Sequence, residues 1–160
     1  MKSPFEELEI DPQLVSEFFA VFARFEYAMK ASRYCRADRH DNAIPNWNLL
    51  IADLGEAVAA YPDVENGELV GYLLSEPPDI QKFVDGQPKF EAVPLDGANR
   101  GASAIIAARR VRNNLFHGGK HTAHSPPERD TKLMQAALLV LDACLLADPC
   151  LNSEFEHQLF

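Results

Sequence analysis

The sequence predicts an all-α fold, a bundle of four main helices with a long irregular insert (about residues 62–97) between helices two and three. Three observations predict it. Apolar residues recur every three or four positions in four separate stretches. Prolines and glycines fall between those stretches, where they stop helices. And 47% of the 160 residues are apolar, which suits one domain, 1–160, with a single core.

The first start signal is Ser3-Pro4-Phe5-Glu6, a small capping box. Asp11-Pro12 repeats it more firmly. After it, Leu14, Phe18, Phe22, Phe25 and Met29 mark one face of a helix of roughly 24 residues. Glu26 and Lys30 stand four apart on it, as an ordinary solvated pair would. Arg36 to Ile44 reads as a polar turn. Pro45-Asn46 opens the second helix, striped by Trp47, Leu50, Ile51, Leu54 and Val58 and ended before Pro62.

Prolines 62, 77, 78, 88 and 94 forbid a long helix in the insert. Leu69 to Leu74 reads as a short helix, and Phe83-Val84 and Phe90 to Val93 as two short strands around Asp85-Gly86. The third helix runs from about Ala98 to His117, with Ala104, Ala108, Val111 and Leu115 toward the core and Gly118-Gly119 as its stop. The fourth follows Pro126-Pro127 and ends at Asp148-Pro149. It is apolar almost all round, so burial on several sides is expected, one of them a candidate subunit interface. Asn152 to Phe160 reads as a last short helix.

Charge limits the function classes. A net charge of -9 argues against a protein that coats nucleic acid wholesale. From Arg100 to Lys132, however, seven Arg and Lys face two acidic residues. A basic island in an acidic chain marks a local anion site. Cys35, Cys144 and Cys150 show no paired spacing, which fits a reducing compartment. Glu6, Glu7, Glu9 and Asp11 occupy the place of an apolar signal core, and the apolar run from Leu133 to Ala147 is too short and polar for a membrane span. A cytoplasmic location with no membrane partner is the expectation.

The chemistry concentrates in RNNLFH, residues 112–117. At 100° per residue, Asn113 and His117 share a helix face and Arg112 borders it. A guanidinium can hold a phosphate and stabilise charge developing on it. An imidazole titrates near neutrality and can move a proton. In RNA the 2′-hydroxyl can serve as nucleophile, so no metal or other cofactor is required. A two-fold dimer would supply the second His that acid-base work needs.

These residues resemble the HEPN superfamily (higher eukaryotes and prokaryotes nucleotide-binding), whose motif is an Arg, four to six residues, and a His. FFAVFARFEYAMK (18–30), PNWNLL (45–50) and RRVRNNLFHGGK (109–120) are similar to segments of a small bacterial and plasmid-borne group within it. The resemblance implies a four- to five-helix HEPN-type bundle and a homodimer. It implies a metal-independent endoribonuclease that acts on RNA and not DNA, as a toxin or defence effector, and leaves a cyclic phosphate. It places Arg112 and His117 in the catalytic roles with Asn113 as the polar motif residue, at a cleft between subunits. Arg109, Arg110, Lys120 and Glu26 would support them, the first two as phosphate-steering or surface residues and Glu26 by orienting Arg112. Arg110 also fits the longer motif spacing. The family includes toxins encoded beside a nucleotidyltransferase-like antitoxin, which would then be a partner.

Other readings stand beside this one. The chain could be a catalytically inactive HEPN module that binds nucleotide, RNA or protein, or a purely structural homodimer. His117 could simply cap a helix end. His117, His121 and His124 invite a zinc reading, but the glycines break the helix between them and no Cys completes a set, so no metal is expected. The Phe18, Phe22, Phe25 stripe and Trp47 are expected in the core.

Overall fold

The computed structural model describes residues 10–116 and 127–156. It is mostly helical, with two small antiparallel hairpins. Helix α1 (Pro12–Ala31) starts where Asp11 accepts the Gln13 N–H, with proline in the first turn. It buries Val15, Phe18, Phe22, Phe25, Ala28 and Met29. It stops short of the expected 24 residues because Ser32 turns extended and both its N–H and its hydroxyl donate to the Met29 carbonyl. The Ser3–Glu6 capping box lies outside the described residues.

The Arg36–Ile44 stretch is more than a turn. Strands β1 (Cys35–Ala37) and β2 (Ala43–Pro45) pair across it. The Asp38 carboxylate ties the tip, accepting the His40 and Asn42 N–H groups, while Asp41 takes a left-handed φ of 62°. Strands of three residues carry too few positions for a period-two signal. Asn46 then caps α2 (Trp47–Ala59) by accepting the Leu49 N–H.

The insert has more regular structure than its prolines imply. Pro62–Glu65 forms α3, Glu68–Ser75 forms α4, and β3 (Ile80–Val84) pairs with β4 (Gln87–Glu91). Asp85 and Gly86 link the strands with φ of 53° and 77°, as a tight two-residue hairpin demands.

Helix α5 (Arg100–Phe116) starts where Asn99 accepts the Ala102 N–H. Its inner face is Ala102, Ala104, Ile105, Ala107, Ala108 and Val111. Small residues let neighbours approach closely. A Cβ added to Gly101 would overlap the Gly55 carbonyl oxygen, so α2 and α5 meet backbone to backbone. Helix α6 (Pro127–Ala147) is the central element and touches α1, α2, α3, α4, α5 and α7. Most of its apolar surface is thereby buried within one chain, with Leu146 left exposed. Helix α7 (Pro149–Glu156) begins three residues before the expected Asn152, because Asp148 accepts the Cys150 and Leu151 N–H groups and so caps it.

Around α1, α2, α5 and α6 the core is continuous. Phe18, Phe22 and Phe25 are fully buried, and Trp47 is stacked on Phe25 and tilted against Phe22. Among the described residues no single helix is long and apolar enough to cross a membrane.

Candidate functional site

The second half of α5 carries two adjacent polar faces. Arg109, Arg112 and Asn113 lie three or four positions apart and share one. Arg110 and Asn114 share the next. The first face looks toward α1, and Arg112 closes the gap. Its guanidinium donates to the Glu26 carboxylate at 2.8 Å and to the Asn113 side-chain oxygen at 3.1 Å. The Arg112 and Glu26 side chains are only 25% and 20% exposed. Partial burial weakens solvent screening, so this pair fixes geometry better than a surface pair would. Glu26 thus reaches across to another helix rather than to Lys30 one turn along its own.

Arg109 sits one turn back, its guanidinium 5.8 Å from the centre of the Trp47 ring. Its pKa is lowered from the ordinary value, first by desolvation; Glu26 opposes this, and Arg112 and Arg36 add to it. Arg36 comes from β1, so the hairpin that the sequence concealed adds a weaker, more distant positive charge to the field at Arg109. Two arginines and one carboxylate, with Arg36 farther off, give a locally positive site on an acidic protein.

The next face is structural. Arg110 is 9% exposed and donates to the Val93 carbonyl at 2.5 Å and the Pro94 carbonyl at 3.0 Å. Burial lowers its pKa, with Asp96 opposing. Arg110 thus fastens the insert to the bundle, and it also lines the groove beside α5. Asn114 does the same through the Asp79 carbonyl at 2.9 Å, and Arg129 of α6 through the Glu76 carbonyl at 3.1 Å.

Between α5, α2 and the fastened insert lies an open groove of about 710 Å³. Arg109 and Asn113 belong to both the groove and the arginine cluster. Gln81, Asp79 and Asp96 supply further polar groups, and Ile51, Ile106 and Val93 an apolar floor. The volume is ample for a nucleotide-sized ligand.

Glu26, Arg109, Arg112 and Asn113 are thus brought together, while Arg110 shares the groove with Arg109 and Asn113 but is bonded to the insert. His117 and Lys120 lie outside the described residues, as do His121 and His124. Among the described residues no group of three metal-ligating side chains gathers. Sequence reasoning did not find Arg36, whose signal lies in an unrecognised hairpin, nor the second role of Trp47 beneath Arg109. No family model, no curated protein and no solved structure matches the chain.

Proposed function

We propose that the chain is a metal-independent endoribonuclease of the HEPN type that works as a homodimer in the cytoplasm. The observation that carries this reading is the Glu26–Arg112–Asn113 arrangement, a guanidinium held by a carboxylate and an amide at the end of the motif helix. A mostly helical architecture is consistent with such a bundle. Arg112 would hold the scissile phosphate and stabilise charge on its oxygens. One His117 would take the 2′-hydroxyl proton as O2′ attacks phosphorus. The His117 of the second subunit would protonate O5′ as the P–O5′ bond breaks. The products are a 2′,3′-cyclic phosphate and a 5′-hydroxyl, with no water consumed. Arg109 and Arg36 would draw the backbone in electrostatically. Action as a toxin or defence effector, checked by a nucleotidyltransferase-like antitoxin, is the biological setting that the HEPN resemblance implies.

The second reading is an inactive HEPN module that binds nucleotide, RNA or protein. The Glu26 carboxylate favours it, because it offsets part of the charge that Arg112 offers a phosphate. End-group analysis decides between them. A single-stranded RNA incubated with the protein in EDTA should yield cyclic-phosphate and 5′-hydroxyl ends. Ends bearing 5′-phosphate, or intact RNA, would contradict the nuclease.

A further inference from the structure

The insert hairpin carries two aromatic rings that the cleavage chemistry does not use. Phe83 is 79% exposed and Phe90 is 39% exposed. Packing of the two rings across the strands stabilises the hairpin by a fraction of a kcal/mol, yet it leaves Phe83 largely in solvent. Cross-strand partners lie on one face of an antiparallel pair. Gln81 pairs with Phe90, and Phe83 pairs with Pro88. Gln81, Phe83, Pro88 and Phe90 therefore form one face, and Lys82 and Lys89 project from the other. The Lys82 and Lys89 charges are met by Glu91 and Asp85.

The hairpin borders the groove at its base, where Gln81 of the aromatic face and Ile80 of the other face both line the wall, and Phe83 and Phe90 stand outside it. Across the groove stand Asn113 and Arg109, and beyond them Arg112. Flat rings thus lead to amides, and the amides lead to guanidinium groups. Each matches one part of a single-stranded nucleic acid: rings stack on bases, amides bond base edges, and arginines take the phosphates, while the Asp79 and Asp96 carboxylates on the insert side repel the backbone and leave the α5 side for it. An apolar protein partner would leave the arginine cluster unmatched.

We propose that the Phe83–Phe90 face of the insert hairpin is a base-stacking platform that leads single-stranded RNA into the groove beside Arg109 and Asn113. This deepens the RNA reading of the site and rests on it. The insert then has a function: it holds RNA next to the motif helix, and Arg110, Asn114 and Arg129 fix its position.

The test is binding of a 5′-fluorescein single-stranded RNA 12-mer of random sequence, followed by anisotropy in EDTA. The His117→Ala protein keeps the probe intact. Adding Phe83→Ala and Phe90→Ala should weaken Kd at least tenfold, since two stacking rings are lost. The dependence on salt should keep its slope, because no phosphate contact is removed. Phe83→Tyr with Phe90→Tyr should restore affinity. Both rings are exposed, so unchanged far-UV circular dichroism and melting temperature will show that the fold is intact. An unchanged Kd, or no binding before the phenylalanines are changed, overturns the platform. So does loss of a dimer in light scattering with RNA affinity intact, which would assign the face to a second copy. Failure of cleavage alone removes the nuclease and leaves the platform, because binding is read on uncut RNA.

Discussion

Glu26 and Arg112 meet at 2.8 Å although 86 positions separate them in the chain. The contact joins the C-terminal half of α1 to the last turn and a half of α5, and it decides where one guanidinium can be. Glu26→Gln keeps the size and removes the charge. It should cost only about 1–2 kcal/mol of stability, as expected for a partly buried pair. Cleavage should fall more steeply, by about tenfold or more, because Arg112 would no longer be oriented. Thermal unfolding beside RNA turnover separates the two effects, and equal wild-type turnover would exclude an orienting role.

Arg109 and Arg110 are neighbours with opposite expected behaviour. Arg110→Ala orphans the Val93 and Pro94 carbonyls and empties a buried site. It should destabilise the protein by about 2–4 kcal/mol in urea unfolding and speed amide exchange in the insert. Arg109→Ala should leave stability within about 1 kcal/mol and lower the salt slope of RNA binding by about one. A stable Arg110→Ala protein would show that the insert is fastened elsewhere.

Gly101→Ala tests the backbone contact between α2 and α5. A methyl there meets the Gly55 carbonyl oxygen, and neither helix can yield locally. A loss of about 1–3 kcal/mol is expected by calorimetry, against a slight gain for the same change at an exposed helical glycine. No loss would mean that the helices stand farther apart.

Tyr34 and Asp148 predict how stability varies with pH. The Tyr34 hydroxyl is buried and donates to Asp148 at 2.8 Å, and burial followed by that hydrogen bond raises its pKa to about 12. Its contribution is full below the unfolded value near 10 and is lost as pH rises from there toward about 12. For Asp148 burial pushes upward, but the Leu151 N–H, Tyr34, the Cys150 N–H and Arg33 prevail and hold it below 3.8. Its contribution is present above that value and is lost as pH falls through the folded pKa. Tyr34→Phe should therefore flatten the alkaline limb in a pH series of urea midpoints. An unchanged alkaline limb would count against the buried pair.

Helices α1 and α2 were legible because each announces itself twice, by an apolar stripe and by a capping residue, whereas α3 and α4 lack a side-chain cap and α3 was missed. Asp11, Asn46 and the Asp85-Gly86 turn all act as their chemistry implies. The β1–β2 hairpin was not legible, since its strands are too short for alternation to emerge, and with it Arg36 was missed. At the site, Arg112, Asn113 and Arg109 could be grouped from helical spacing alone. Separating Arg109 from Arg110 could not be done so, because which neighbour faces the insert depends on tertiary contacts with Val93 and Pro94. The all-round apolar α6 was equally ambiguous: burial inside one chain and burial between two leave the same pattern.

We propose that Arg112 and His117 cleave RNA without a metal. The most direct measurement is turnover of single-stranded RNA in EDTA by the unaltered protein, Arg112→Ala and His117→Ala, each shown to be folded by circular dichroism. Cleavage by the unaltered protein alone, with each variant reduced at least a hundredfold, is the predicted result. Cleavage that survives either substitution, or that stops in EDTA, would contradict it.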